Sequence, residues 1–177
     1  VDTMTTRLEV PVTTVMAPLG IVSNRVQTSE DLATTDREDL SELGQLLAAR
    51  GADAAWALLD EVDDSIASWI ALTLRPLGGA APGVVRRAAR YDDPIESDEA
   101  MRNTTLGRAL RLRQRAAITA PRRDEPNATI VSESLNWSWV LPADMMLCVH
   151  SNTTQLVYSD WVARHVDLVA NGIDVVH

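Results

Sequence analysis

The sequence predicts an α+β domain whose helices flank a run of short antiparallel strands. Three observations carry this. Residues 36–50 have helical spacing and end at a glycine, and 160–176 again space their apolar residues as a helix does. Between them, 129–140 alternate and 145–150 form a short apolar run, as half-buried and buried strands do.

In chain order, residues 1–27 are rich in Val and Thr, with breaks at Pro11, Pro18 and Gly20. Leu8 to Met16 reads as a strand or as an arm that packs on a partner subunit, so 1–35 is set apart as an N-terminal extension and 36–177 as the domain. Thr35 and Glu38 have the spacing of a capping box, Leu40, Leu43, Leu46 and Leu47 supply the helical stripe, and Gly51 is placed to end it in the left-handed region.

Residues 51–76 fit two structures. As one helix, Ala55, Leu59, Val62, Ile66 and Trp69 share a face; as a hairpin, Ile66, Ser68, Ile70, Leu72 and Leu74 do. The acidic 60–65 linker and the strand-favouring Trp69, Ile70 and Thr73 favour the hairpin, while six alanines favour the helix. After a Pro/Gly break at 76–83, Val84 to Arg90 reads as a strand or short helix. Ser97 is placed to cap a helix over 98–112 with Leu106 and Leu110 inward, followed by a short strand over 115–119. Residues 151–154 form a turn, 155–158 return, and Ser159 caps the last helix.

The chain has 177 residues, 46% of them hydrophobic, enough for one sizeable core. It has no apolar run long enough to span a membrane and no signal-peptide pattern at its start. A single cysteine, Cys148, excludes an internal disulfide, so a reducing cytoplasm is expected. The N-x-S/T sequons at Asn103, Asn127, Asn136 and Asn152 are then chance products. All 16 basic residues are Arg and Phe is absent, the usage expected of a GC-rich, actinobacterial genome. The net charge of −9 is uneven: residues 84–123 hold ten Arg and five acids, a local +5. An acidic chain with one basic strip is a poor nucleic-acid binder; the strip either meets an anion or lays its stems on apolar surface.

Several fragments, in this order, resemble a GAF domain, the sensory fold related to PAS domains. Gly51-Ala52-Asp53-Ala54-Ala55 with the following WALLDE is similar to that family's entry into its first strand. LGRALRLRQRAAITAP (106–121) resembles its helix-then-strand stretch, Val140-Leu141-Pro142 a later strand, and 158–174 its closing helix. The resemblance favours the hairpin over 51–76. It implies a sheet of about five or six antiparallel strands with the N- and C-terminal helices on one face and a ligand pocket on the other. It further implies a non-catalytic sensory or regulatory domain that binds a small molecule and dimerises through its terminal helices. A ligand-free interaction module is the alternative. The absence of Lys and Phe departs from the cyclic-nucleotide pattern of the family, and one cysteine is too few for its methionine-sulfoxide reductases.

The candidate ligand residues follow. Trp69, Trp137 and Trp139 are flat surfaces for a planar ligand, with Arg90 or Arg108 to hold an anionic group. In a chain without Phe they are also the natural core aromatics. Cys148 and His150 share a strand face and, with His165 as third ligand, make a weak metal or haem candidate. No G-x-S-x-G or H-E-x-x-H pattern occurs, and no enzyme activity is expected.

Overall fold

The computed structural model describes residues 7–22, 25–28, 37–120, 125 and 127–176. Its elements are β1 (Arg7–Val10), β2 (Met16–Val22), β3 (Val26–Thr28), α1 (Glu38–Ala49), β4 (Ala54–Leu59), β5 (Ile66–Pro76), α2 (Pro82–Ala88), β6 (Glu96–Thr104), β7 (Gly107–Thr119), β8 (Thr129–Leu141), β9 (Met145–Thr153), α3 (Ser159–Gly172) and β10 (Asp174–Val176). Seven strands make one sheet in the order β2-β4-β5-β9-β8-β7-β6, and β10-β1-β3 make a smaller one. Every pairing in the large sheet is antiparallel. The class is α+β, with more strands than the sequence suggests.

Residues 51–76 are the expected hairpin, with Trp56 opposite Ile70. Asp60 makes the connection: its carboxylate accepts from the Val62 amide at 2.7 Å and its own amide donates to the Ser65 carbonyl. A short acidic side chain that captures nearby amides stabilises a turn over a helix, which is why the alanines do not prevail.

The period-two alternation of β4, β5 and β8 divides the interior into two layers. Trp56, Leu58, Ile70, Leu72, Leu135, Trp137 and Trp139 pack with Val162, Val166 and Val169 of α3 and with Leu8 and Val10 of β1. Ala55 and Ala71 pack on the other face, with Leu47 of α1. The two terminal helices therefore lie on opposite faces, not together as the GAF-type arrangement implies. The reason is local. The inward residues of α1 are Leu40, Gly44 and Leu47, and they meet a floor of alanines. Gly44 is part of this fit: a Cβ there would lie 2.5 Å from the Leu19 carbonyl oxygen. α3 instead covers the Trp-lined face, where burying each of its valines is worth roughly 1.5–3 kcal/mol.

Other differences have similar physical causes. The stretch expected as a helix over 98–112 is the β6–β7 hairpin, turning at Thr104–Gly107. Gly107 there has φ +110°, which a helix interior does not contain. Val84 to Arg90 is helical rather than extended up to Ala88, beginning at Pro82 where the missing amide costs nothing. β9 runs to Thr153, and Leu156–Tyr158 is a single 3-10 turn, not a returning strand. Helix α3 is preceded by Tyr158 as its N-cap, so Ser159 is already its first residue. It ends at Gly172, and the chain then pairs with β1. The 1–35 stretch set apart as an extension puts Leu8 and Val10 into the core and pairs β2 with β4. The Thr35 half of the capping box lies outside the described residues; α1 starts at Glu38 with Arg37 as N-cap, and Asp39 accepts from the Leu40 amide at 2.9 Å. Gly51 has the expected left-handed φ, +82°.

Candidate functional site

The face not covered by α3 carries a cleft of about 660 Å³, within the roughly 300–1,000 Å³ usual for small-molecule sites. Its floor follows from strand register. One row across the sheet is Thr73, Cys148, Ser138 and Leu110; the next is Ala71, His150, Asn136 and Leu112. Asn152, Ser134 and Gln114 form a third. Alternation sends the large apolar residues of β8 to the α3 side, leaving Ser134, Asn136 and Ser138 here, so the floor is polar in its middle and apolar toward β7.

Helix α2 and the segment after it roof this floor. The Arg86 guanidinium donates to the Ser138 hydroxyl at 3.0 Å and lies over its carbonyl at 3.4 Å. Tyr91 is tied down by the Ser132 hydroxyl at 3.1 Å and the Asn152 amide at 2.8 Å. Trp69 stands edge-on to His150, centroids 5.2 Å apart. At the α1 end, Arg75 donates to the Arg50 carbonyl at 2.7 Å, closing the exposed C-terminus of that helix.

Four arginines thus line the cleft, Arg50, Arg75, Arg86 and Arg90, and no Asp or Glu does among the described residues. Arg90 pairs with Glu99 of β6. Arg50, Arg75 and Arg86 have no carboxylate partner among the described residues. The basic strip of β7 is the opposite case. Arg111, Arg113 and Arg115 point to the α3 face and are paired with Asp98, Asp167, Glu133, Asp160 and Glu96. Within the basic 84–123 strip, Arg111, Arg113 and Arg115 are thus neutralised, whereas Arg86 of the same strip joins Arg50 and Arg75 without a carboxylate partner among the described residues.

The cleft's polarity shows in its titratable groups. Burial, with Arg75 and Arg50 adding to it, pushes His150 down to about 4, so the imidazole is neutral at neutral pH. Burial pushes the Cys148 thiol up, against the opposing pull of Arg86 and Arg75. A raised thiol beside a neutral imidazole is a poor nucleophile pair. The Ser134 hydroxyl has no hydrogen-bond partner, although the residue is only 9% exposed and lines the cleft. A buried polar atom without a partner costs on the order of 1–3 kcal/mol.

His150 gives a stability prediction. Its folded value is depressed, so below its ordinary value of 6.5 the unfolded chain takes up a proton that the folded chain refuses. Stability falls as pH drops from 6.5 toward about 4, by roughly 3 kcal/mol in all. Urea denaturation of wild type and His150→Gln across that range checks this: the variant should lose the part of the slope that the imidazole supplies.

No protein-family model matches this chain, and no curated protein sequence does.

Of the residues the sequence nominates, the structure brings Trp69, Arg90, Cys148 and His150 to the cleft. Trp137 and Trp139 do share a face, stacked with centroids 5.8 Å apart, but it is the α3 face. Their indole N–H groups donate to Asp167 and Thr104, each at 2.9 Å, and Trp137 is also among the residues that line the cleft. Arg108 is exposed near the β6–β7 turn and is not part of the cleft. His165 sits on α3 with its Nδ1 2.9 Å from the Trp161 carbonyl, across the sheet from Cys148 and His150, so these three cannot share a metal. Among the described residues no group of three or more His, Cys, Asp or Glu could hold one. Asp160, at the start of α3, accepts from Arg113 at 2.7 Å. Arg50, Arg75, Arg86, Tyr91 and Ser134 have no local signal in the sequence. Long-range register places them, and only the period-two runs of β5 and β8 hint at it.

No helix is long and apolar enough to cross a membrane among the described residues.

Proposed function

We propose that this chain is a non-catalytic ligand-binding domain of the sensory or regulatory kind, and that its ligand is a small organic anion held in the cleft. One observation carries the reading: in a chain of net charge −9, three arginines without carboxylate partners converge on one cleft that no acid lines among the described residues. Unneutralised guanidinium forks suit carboxylate and phosphate oxygens. The neutral His150 and raised Cys148 support binding over chemistry. This keeps the small-molecule sensing that the GAF resemblance implies, on a fold with its terminal helices differently placed.

Isothermal titration with small aryl and alkyl carboxylates and their uncharged amides tests it. The carboxylates should bind and the amides should not. Arg75→Gln and Arg86→Gln should each weaken binding by about tenfold, the loss of one charge-assisted contact. Equal binding of acid and amide would contradict the reading and return the chain to the interaction-module alternative.

Dimerisation belongs to the proposal in the form this fold permits. A two-fold contact can use α1, which exposes Leu46, or α3, which exposes Leu168, but not both together. A sedimentation series that gives the monomer mass at every concentration would remove it.

A further inference from the structure

The ligand of this cleft can be narrowed by matching its charge and its walls, taking the anion-binding reading as given. Arg50, Arg75 and Arg86 bring three charges without carboxylate partners among the described residues, while Arg90 is balanced by Glu99. A single negative charge would leave most of that excess in place. The donors are also not in one spot. Arg86 reaches in from α2 over Ser138, Arg75 from β5, and Arg50 from the C-terminal end of α1, so the charges enter the cleft from three elements. The apolar part of the lining is Leu110 and Leu112 from β7, Met146 from β9, Val85 from α2, and the Trp69 ring.

We infer that the cleft takes a planar, largely apolar molecule carrying a doubly negative head group, of the aryl phosphate monoester class. The head group sits among Arg50, Arg75 and Arg86 and the body lies over the β7 side of the floor. A phosphate monoester offers three acceptor oxygens, enough to engage several guanidinium groups. An aryl dicarboxylate shares the charge but spreads it over two groups, and the test separates the two.

The test is calorimetric titration of the intact chain with phenyl phosphate, benzoate, phthalate, inorganic phosphate and phenol. Phenyl phosphate is expected to bind about tenfold or more tightly than benzoate and than inorganic phosphate. The second proton of a phosphate monoester has a pKa of about 6, so its affinity should fall by about tenfold from about pH 7.5 to about pH 5. Around the head group stand Arg50, Arg75, Arg86 and Arg90, with Tyr91, Cys148 and His150 beside them. His150 stays neutral and Cys148 stays a thiol through that window, so the fall belongs to the ligand. Arg75→Gln and Arg86→Gln should each erase most of the advantage over benzoate. Benzoate and phenyl phosphate binding alike would overturn the dianion assignment and leave the anion reading standing. Phthalate exceeding phenyl phosphate would overturn the phosphate assignment. Binding of inorganic phosphate as tightly as the ester would overturn the role of the apolar wall. Failure of phenyl phosphate to bind at millimolar concentration would overturn the inference as a whole.

Discussion

Replacing Trp139 by alanine is expected to lower the stability of the folded chain by about 4 kcal/mol, the upper range for removing a large buried aromatic. The side chain is 0% exposed and lies in the core beneath α3. It stacks on Trp137 with the rings 16° from parallel, and its N–H donates to the Thr104 hydroxyl at 2.9 Å, tying β8 to the end of β6. Alanine leaves a large cavity and frees that hydroxyl. Phenylalanine keeps an aromatic stack and loses the hydrogen bond, so Trp139→Phe should cost less, about 1–2 kcal/mol. Equilibrium urea unfolding of both variants measures the two losses. Were Trp139 a pocket residue, as the sequence suggests, the alanine variant would lose binding with little loss of stability.

The second large effect is at Glu133. This carboxylate is 4% exposed and accepts from Arg113 at 2.9 Å, from Arg115, and from the Ser159 hydroxyl at 2.8 Å. It fixes the first residue of α3 onto β7 and β8. Burial alone would raise its pKa, but the guanidinium groups of Arg115 and Arg113 and the Ser159 hydroxyl more than reverse this, so the net shift is downward. Removing a buried partner costs about 3–5 kcal/mol where its counter-charges are left unpaired; here Arg113 keeps Asp160 and Arg115 keeps Glu96. Arg115 is a third exposed and water recovers part of that, so Glu133→Ala is placed at about 3 kcal/mol. The folded value is depressed, so the carboxylate's contribution is present above its unfolded value of 4.5 and is lost as pH falls through the lower folded one. Denaturation at about pH 7 and about pH 3 should therefore show a smaller acid loss in Glu133→Gln than in wild type.

These two sites explain what the sequence discloses. The 51–76 hairpin is half legible: Asp60 signals the turn, but both faces of β4 and β5 are buried, so their apolar residues also fit a helix. The strand pair β8–β9 is legible because β8 alternates and β9 is a short apolar run. The β6–β7 hairpin is not. β6 is an edge strand exposed on both sides, so ESDEAMRNT shows no hydrophobic period. In β7 the apolar Leu110 and Leu112 alternate with Arg111, Arg113 and Arg115, which face inward because acids on β8 and α3 receive them. An alternation of Leu with half-buried, paired Arg does not register as amphipathic, and Leu106 and Leu110 by themselves fit a helix. The cleft is half legible. Trp69 and His150 announce themselves as rare side chains, whereas Arg50, Arg75 and Arg86 acquire meaning only when three separate elements converge. Trp137 and Trp139 have the correct alternation but belong to the other layer, and alternation alone cannot say which face of a two-sided sheet holds the ligand.

The most direct test of the account is a crystal of the chain grown with para-bromophenyl phosphate and measured at the bromine absorption edge. The account predicts an anomalous peak in the cleft against Leu110 and Leu112, with the phosphate among Arg50, Arg75 and Arg86. A peak at the β7 arginines or near Arg108, or a cleft holding only solvent while the ligand binds elsewhere, would contradict it.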